Sequence, residues 1–233
     1  MSCATIREKN LRTISGALVL TAFQESFADH SFTSATVISK DSFNLSSSNL
    51  TFEVRAAVPT AGGLYGQIMF IPEQDFKNNS INGTIFILMN FRTIKSGFTY
   101  DPDTFSVKHF NSMTDLEQFQ TYRFHSDPGQ NQFINDTIFH WSMNETLYSP
   151  SDSLHVNCAY PKCLNILNKG QFRLVLNLAV DNILDSSTQV IRQSSRWKCS
   201  SMIVDYVRVL SHQQLENMAN IVYNQTEKLA SEI

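Results

Sequence analysis

Short runs of apolar and β-branched residues recur along the chain, several alternating apolar with polar positions, and turn residues separate them. They are "ALVLTAF" (17–23), "SATVISK" (34–40), "LTFEVRAAV" (50–58), "GQIMFI" (66–71), "TIFILMNF" (84–91), "QTYRFHS" (120–126), "DTIFHWSM" (136–143), "QFRLVLNLAV" (171–180) and "SMIVDYVRVL" (201–210). Val, Ile, Thr, Phe and Tyr dominate them, and a two-residue period is the period of a half-buried strand. "PTAGG" (59–63), "DPD" (101–103), "DPGQN" (127–131) and "SPSDS" (149–153) supply the breaks. Strands at this spacing, with almost no helical period between them, predict an all-β sandwich or jelly roll. The tail differs. From His212 to Leu229, Leu215, Met218, Val222 and Leu229 fall near helical spacing without Pro or Gly, which predicts one short C-terminal helix. Its simplest reading is a capping element on the sandwich.

Bulk properties narrow the function classes. The 233 residues suit one sandwich domain. A formal net charge of −3, with no Lys/Arg cluster, gives no electrostatic footprint for nucleic acid. No apolar run approaches the roughly 20 residues that span a bilayer. Seven Asn-X-Ser/Thr sites occur, at Asn44, Asn49, Asn78, Asn82, Asn135, Asn144 and Asn224. That exceeds the three or four that chance gives, by rough count, in a chain this rich in Asn, Ser and Thr. Cys158 and Cys163 flank a Pro-containing loop, "CAYPKC", that a disulfide could close, leaving Cys3 and Cys199 as a second pair or free thiols. No CxxC and no His at ligand spacing point to a metal, and no cofactor motif is present. Together these features lean towards an extracellular, secreted protein. "RTISGALVLTAFQESFA" imitates a leader peptide, but its apolar run is short and Gly16 interrupts it, so it reads better as a strand.

Four blocks then carry a resemblance. "LTFEVRAAVPTAGGLYGQIMFIP" (50–72) resembles the stretch of glycoside hydrolase family 16 in which "EVRAKLP" leads through a Gly-rich turn to "LWPAIWMLP". "FQTYRFHS" (119–126) resembles the family's "FHTYAIEW", "FRLVLNLAV" (172–180) its "FYLILNLAVGG", and "SSMIVDYVRVL" (200–210) its "SMLVDYVRVYQ". "SGALVLTA" (15–22) and "TSATVISKDSF" (33–43) look like its early strands, with the family's usual first strand missing upstream. The blocks stand in family order and spacing. The resemblance implies a concanavalin A-like jelly roll of two curved antiparallel sheets, with a sugar-binding cleft across the concave one. It divides the chain into an N-terminal extension (1–14), the jelly roll (15–210) and a helical tail (211–233).

Family 16 enzymes carry their acids on one strand, as E-x-D-x-E or, with one more residue that implies a bulge, E-x-D-x-x-E. Residues i, i+2 and i+4 of a strand share a face, so the acids of the shorter form project into the cleft together. Retaining hydrolysis needs two carboxyl groups about 5–5.5 Å apart. Aligning the family's "GEIDIMEF" with "GTIFILMNF" places Thr84 at the nucleophile, Phe86 at the assisting Asp, and Leu88 or Met89 at the acid/base. No Asp or Glu occurs from 76 to 100. Threonine without an activating base is no substitute for a carboxylate nucleophile. The alternative is that Phe86 and Leu88 are core and that displaced acids, with Glu73, Asp75 and Glu117 as candidates, do the chemistry. No nucleophile-elbow motif suggests a Ser/His/Asp site.

A cleft without acids can still hold sugar, through aromatic faces and a few polar groups. The resemblance puts Tyr65 at the first Trp of "LWPAIW" and Met69 near the second, and Ser126 replaces the Trp of "AIEW". Tyr65, Asn90, Arg92 and Trp141 are the candidate sugar contacts; Trp197 is a further aromatic, and both Trp are as readily core. The expectation is therefore a catalytically inactive family 16-like protein that binds a polysaccharide of the β-1,3-glucan class. Insect β-1,3-glucan recognition proteins, which act as pattern sensors in innate immunity, are similar in kind. The alternatives are an interaction protein with a protein partner and no sugar, or an O-glycosyl hydrolase using displaced carboxylates.

Overall fold

The computed structural model describes residues 4–28, 30–45, 49–77, 83–90, 93–101, 104–111, 115–128, 137–143, 146–147, 154–156, 170–180 and 200–211. The expected C-terminal helix lies outside the described residues.

In chain order the elements begin with β1 (Ala4–Ile6), β2 (Leu11–Ile14), β3 (Ala17–Thr21), β4 (Phe23–Phe27), β5 (His30–Ser34), β6 (Thr36–Ile38) and β7 (Phe43–Asn44). β8 (Leu50–Ala57), β9 (Leu64–Pro72), a short helix α1 (Glu73–Lys77), β10 (Ile85–Asn90), β11 (Thr93–Asp101) and β12 (Thr104–Asn111) follow. The last are β13 (Gln120–Pro128), β14 (Thr137–Met143), β15 (Thr146–Leu147), β16 (Leu154–Val156), β17 (Gln171–Val180) and β18 (Ser201–Ser211).

Two large antiparallel sheets carry the fold. A seven-stranded sheet runs β12-β11-β10-β9-β17-β6, with β7 also on β17. An eight-stranded sheet runs β15-β14-β13-β8-β18-β3-β2, with β16 on β14. A small sheet, β1-β5-β4, includes a parallel pair between β1 and β5. Residues 11–14, expected as part of an extension, are integral to the eight-stranded sheet, since β2 pairs with β3. The turn between them is Ser15-Gly16, with φ of 49° and 84°. Two positive φ values make this the tight hairpin whose twist suits paired strands, so Gly16 serves a turn.

Alternation decides which residues meet between the sheets. Along β9, Leu64, Gly66, Ile68, Phe70 and Pro72 are buried, while Tyr65, Gln67, Met69 and Ile71 are only partly covered. Phe70 from the seven-stranded sheet packs against Phe52 and Phe124 from the eight-stranded one, with ring centroids 4.6 Å apart in each pair. Phe43 adds an edge-to-face contact with Phe52 at 5.0 Å. Such rings bury large apolar areas and lock the sheets at a fixed separation.

Candidate functional site

The strand expected to carry catalytic groups is β10, in the middle of the seven-stranded sheet. It pairs with β9 from Ile85↔Phe70 to Met89↔Gly66 and with β11 from Ile85↔Phe98 to Asn90↔Thr93, without a register shift. A regular strand fixes which side chains share a face. Ile85, Ile87 and Met89 belong to the core cluster. Phe86, Leu88 and Asn90 therefore face the other way, onto the outer surface of the sheet, while Thr84 lies just before the strand and is buried. The uninterrupted register makes Leu88, not Met89, the residue that shares a face with Phe86.

Neighbouring strands complete this outer face row by row. Phe86 stands opposite Met69, which stands opposite Val175, which stands opposite Ile38, giving an apolar row across β10, β9, β17 and β6. Leu88 stands opposite Gln67, Gln67 opposite Asn177, and Asn177 opposite Thr36. This second row is polar. Thr36 Oγ1 donates to Asn177 Oδ1 at 2.8 Å, and Asn177 Nδ2 donates to Gln67 Oε1 at 2.6 Å. Phe86 and Val175 are 5% and 2% exposed, while Met69 between them is partly exposed and Ile38 at the end of the row is exposed. Gln67, Asn177 and Thr36 all retain partial exposure.

Of the expected sugar contacts, Tyr65 and Asn90 are brought to this face, at the end of the sheet one step beyond the Met89↔Gly66 pair. Asn90 Oδ1 is buried without a hydrogen-bond partner among the described residues. Trp141 is not brought to them: it lies on β14 of the eight-stranded sheet, in register with Phe124. Ser126 is fully buried on β13 of that same sheet. Arg92, Trp197, the cysteines Cys3, Cys158, Cys163 and Cys199, and the acceptor sites at Asn78, Asn82, Asn135, Asn144 and Asn224 lie outside the described residues. Asn44 is on β7, paired with Gln171, and Asn49 immediately precedes β8.

The displaced-acid candidates do not assemble into a pair. Glu73 and Asp75 sit on α1 at the end of β9, two residues apart, a spacing at which helical side chains do not face one another. Glu73 accepts a hydrogen bond from Arg173 at 2.9 Å. Glu117 accepts one from Thr60 Oγ1 at 2.5 Å, before the start of β9. Glu73 and Glu117 thus belong to opposite ends of a strand that extends about 26 Å at the usual rise, far beyond a double-displacement spacing. Among the described residues no group of three or more His, Cys, Asp or Glu could hold a metal ion, and no helix is long and apolar enough to cross a membrane.

A buried and multiply bonded carboxylate, Glu53, is on the opposite side of the molecule. Glu53 of β8 receives Arg123 Nε at 2.6 Å and the Tyr206 phenol at 2.7 Å, with Arg208 at 3.7 Å. Burial alone would raise its pKa, but the hydrogen bonds from Tyr206 and Arg123 and the charges of Arg123 and Arg208 outweigh it and hold the carboxyl below its ordinary value. It faces outward from the eight-stranded sheet, away from the outer face of the seven-stranded one, and its donors make it a structural anion.

No family model and no curated protein matches this chain. Solved structures do. The endo-β-1,3-glucanase from Pyrococcus furiosus superposes with a TM-score of 0.67 at 19% identity, covering 90% of this chain and 80% of that one. The laminarinase from Rhodothermus marinus gives 0.68 at 21% identity, covering 87% and 80%. SCLam, a non-specific endo-β-1,3(4)-glucanase from glycoside hydrolase family 16, gives 0.66 at 19% identity, covering 87% and 74%. The chain has the jelly-roll fold of the family 16 laminarinases, as the sequence blocks imply.

The polar row was not singled out from sequence. Its only signal is one polar residue in the middle of each of three apolar runs, Thr36, Gln67 and Asn177. Which of them meet is set by strand register.

Proposed function

We propose that this protein is a secreted, catalytically inactive relative of the family 16 laminarinases that binds a polysaccharide, with β-1,3-glucan as the ligand class, and serves in recognition of that polymer. The observation that supports the reading is the regular register of β10, which puts Phe86 and Leu88 on one face of the strand, two positions where the resemblance implies carboxylates. The polar row beside them supplies groups suited to hydroxyls, and Tyr65 supplies an aromatic face. The excess of Asn-X-Ser/Thr sites and the "CAYPKC" loop support secretion. Paired assays on laminarin and curdlan test the proposal: binding is expected, with no release of reducing sugar. Hydrolysis that disappears on changing Glu73 or Glu117 would overturn it.

A second reading, an interaction protein without sugar binding, draws on one observation. Phe86 and Val175 are nearly closed to solvent, which reduces the surface this face offers a sugar. Absence of binding across a glycan array, with a tight protein partner recovered by pull-down, would select this reading.

A further inference from the structure

We infer that Gln67 is the ligand-contacting end of the polar row, and that Asn177 and Thr36 exist to hold and polarise it for a glucan hydroxyl. The inference rests on the glucan-binding reading and names the contact within that face. Three side chains from strands distant in sequence form a chain of donation with one direction. Thr36 gives its hydroxyl proton to Asn177 Oδ1, and Asn177 Nδ2 gives one to Gln67 Oε1. The direction leaves the Gln67 Nε2 group as the terminal donor, and it has no protein partner among the described residues.

Three physical consequences follow. Each accepted proton polarises the next amide, so the terminal NH2 is a stronger donor than a lone surface glutamine. The Gln67 side chain is held by its own carbonyl, so part of the ordering cost of binding is met before ligand arrives. The acceptor it suits is neutral and oxygen-rich, since a hydroxyl oxygen takes the bond without bringing a charge onto a partly apolar face. Tyr65 is two residues earlier on the same face of β9, about 7 Å away at the usual rise, where its ring can meet sugar C–H surface while Gln67 meets a hydroxyl. The family stretch "LWPAIW" has Ala at the position of Gln67, so this donor is a feature of this chain. Leu88, opposite Gln67, offers nothing to compete for the amide. Gln67 is the contact, while Asn177 and Thr36 are positioning residues.

Calorimetry with laminarihexaose on the full chain tests this, using Gln67→Leu, Gln67→Glu and Thr36→Val. Gln67→Leu removes the amide, and Gln67→Glu keeps an acceptor for Asn177 while removing the donor. Both are expected to weaken binding about tenfold, the value of one well-placed hydrogen bond to ligand. Thr36→Val leaves the donor but releases its support, and is expected to weaken binding about threefold. Far-UV circular dichroism checks that each variant is folded. Nuclear magnetic resonance of the wild-type protein gives a readout that needs no variant: the Gln67 side-chain NH2 signals should shift as laminarihexaose is added. If the wild type binds but Gln67→Leu binds equally well, or the NH2 signals stay still, the inference fails and the glucan-binding function stands. If the wild type binds no glucan, the proposed function fails and this contact with it.

Discussion

Arg123 and Glu53 stand directly opposite each other on β13 and β8, with the guanidinium Nε 2.6 Å from the carboxylate Oε2. The Glu53 side chain is 7% exposed although it points outward from the eight-stranded sheet. Tyr206 closes over its other oxygen from β18, and the Arg208 guanidinium lies 4.1 Å from the Tyr206 ring centroid. One carboxylate thereby ties three adjacent strands. Truncation strands the donors: Glu53→Ala is expected to lower stability by about 2–3 kcal/mol. That is less than a fully buried pair would lose, because both arginines keep contact with water. Glu53→Gln keeps an acceptor for Tyr206 and is expected to cost about 1–2 kcal/mol. Urea unfolding of the two variants checks the order. Equal midpoints for Glu53→Ala and wild type would refute the strand-tying role.

The same network predicts an acid limb. The carboxyl of Glu53 is held below its ordinary value of 4.5 when folded. Below that ordinary value the unfolded chain takes up a proton that the folded chain resists, so the contribution of Glu53 is complete above pH 4.5 and is lost as pH falls through the lower folded value. Tyr206 runs the other way. Burial first, then its bond to Glu53, raises its pKa above the ordinary 10.0. Its contribution is complete below pH 10 and is lost as pH rises through the folded value. Melting temperatures of wild type and Glu53→Gln from pH 3 to 6 should converge towards the acid end. Parallel curves over that range would contradict the assignment.

Leu88 and Met89 are adjacent in sequence and opposite in environment, and that difference tests the register. Leu88 is partly exposed on the outer face, whereas Met89 is fully buried. Leu88→Glu is expected to cost at most about 1.5 kcal/mol, since its carboxylate can reach water. Met89→Glu would place a charge among core side chains and is expected to cost about 4 kcal/mol or more, enough to threaten folding. Soluble yield and urea midpoints distinguish the two. A reversed order would mean a bulge in β10, and the acid/base position would then fall on Met89.

These cases mark how far sequence alone reaches. β17 is legible at its full length, 171–180, because its apolar residues, interrupted only by single polar positions, fill the stretch between "NKG" and the polar residues after Val180. β8, β9 and β18 are each recovered to within a residue or two for the same reason. β11 and β12 are not, because Thr93–Asp101 and Thr104–Asn111 space their apolar residues thinly among Lys, Ser, Gly and Asp. α1 carries a helix-start signal in the sequence, a proline followed by acidic residues in the first turn, in the same carboxylates that make Glu73 and Asp75 candidate acids. The polar row is of another kind. Thr36 and Asn177 are 141 residues apart, and Asn177 and Gln67 are 110 apart. Each residue alone is an unremarked polar position in a strand, and only the pairing of β6, β17 and β9 makes them one feature.

Gly66 provides a last test, of how closely the two sheets approach behind that row. It lies on the inner face of β9, opposite Met89 on β10. A Cβ placed there would stand 2.5 Å from Val58 Cγ1, 3.2 Å from Val58 Cγ2 and 3.3 Å from Met89 Cε. The first distance is well inside van der Waals contact, so Val58 or the strand must move. Val58 is itself buried, and its backbone N–H is bonded to Leu116 O at 2.7 Å, which limits how far it can retreat. Gly66→Ala is expected to destabilise by about 1–3 kcal/mol through overpacking. Gly66→Ala combined with Val58→Ala should recover part of the loss, because the second change opens the volume the first one needs. A double-mutant cycle on urea midpoints reads the coupling directly. Strict additivity of the two losses would show that the tight approach of β9 to Val58 is not what keeps glycine at this position.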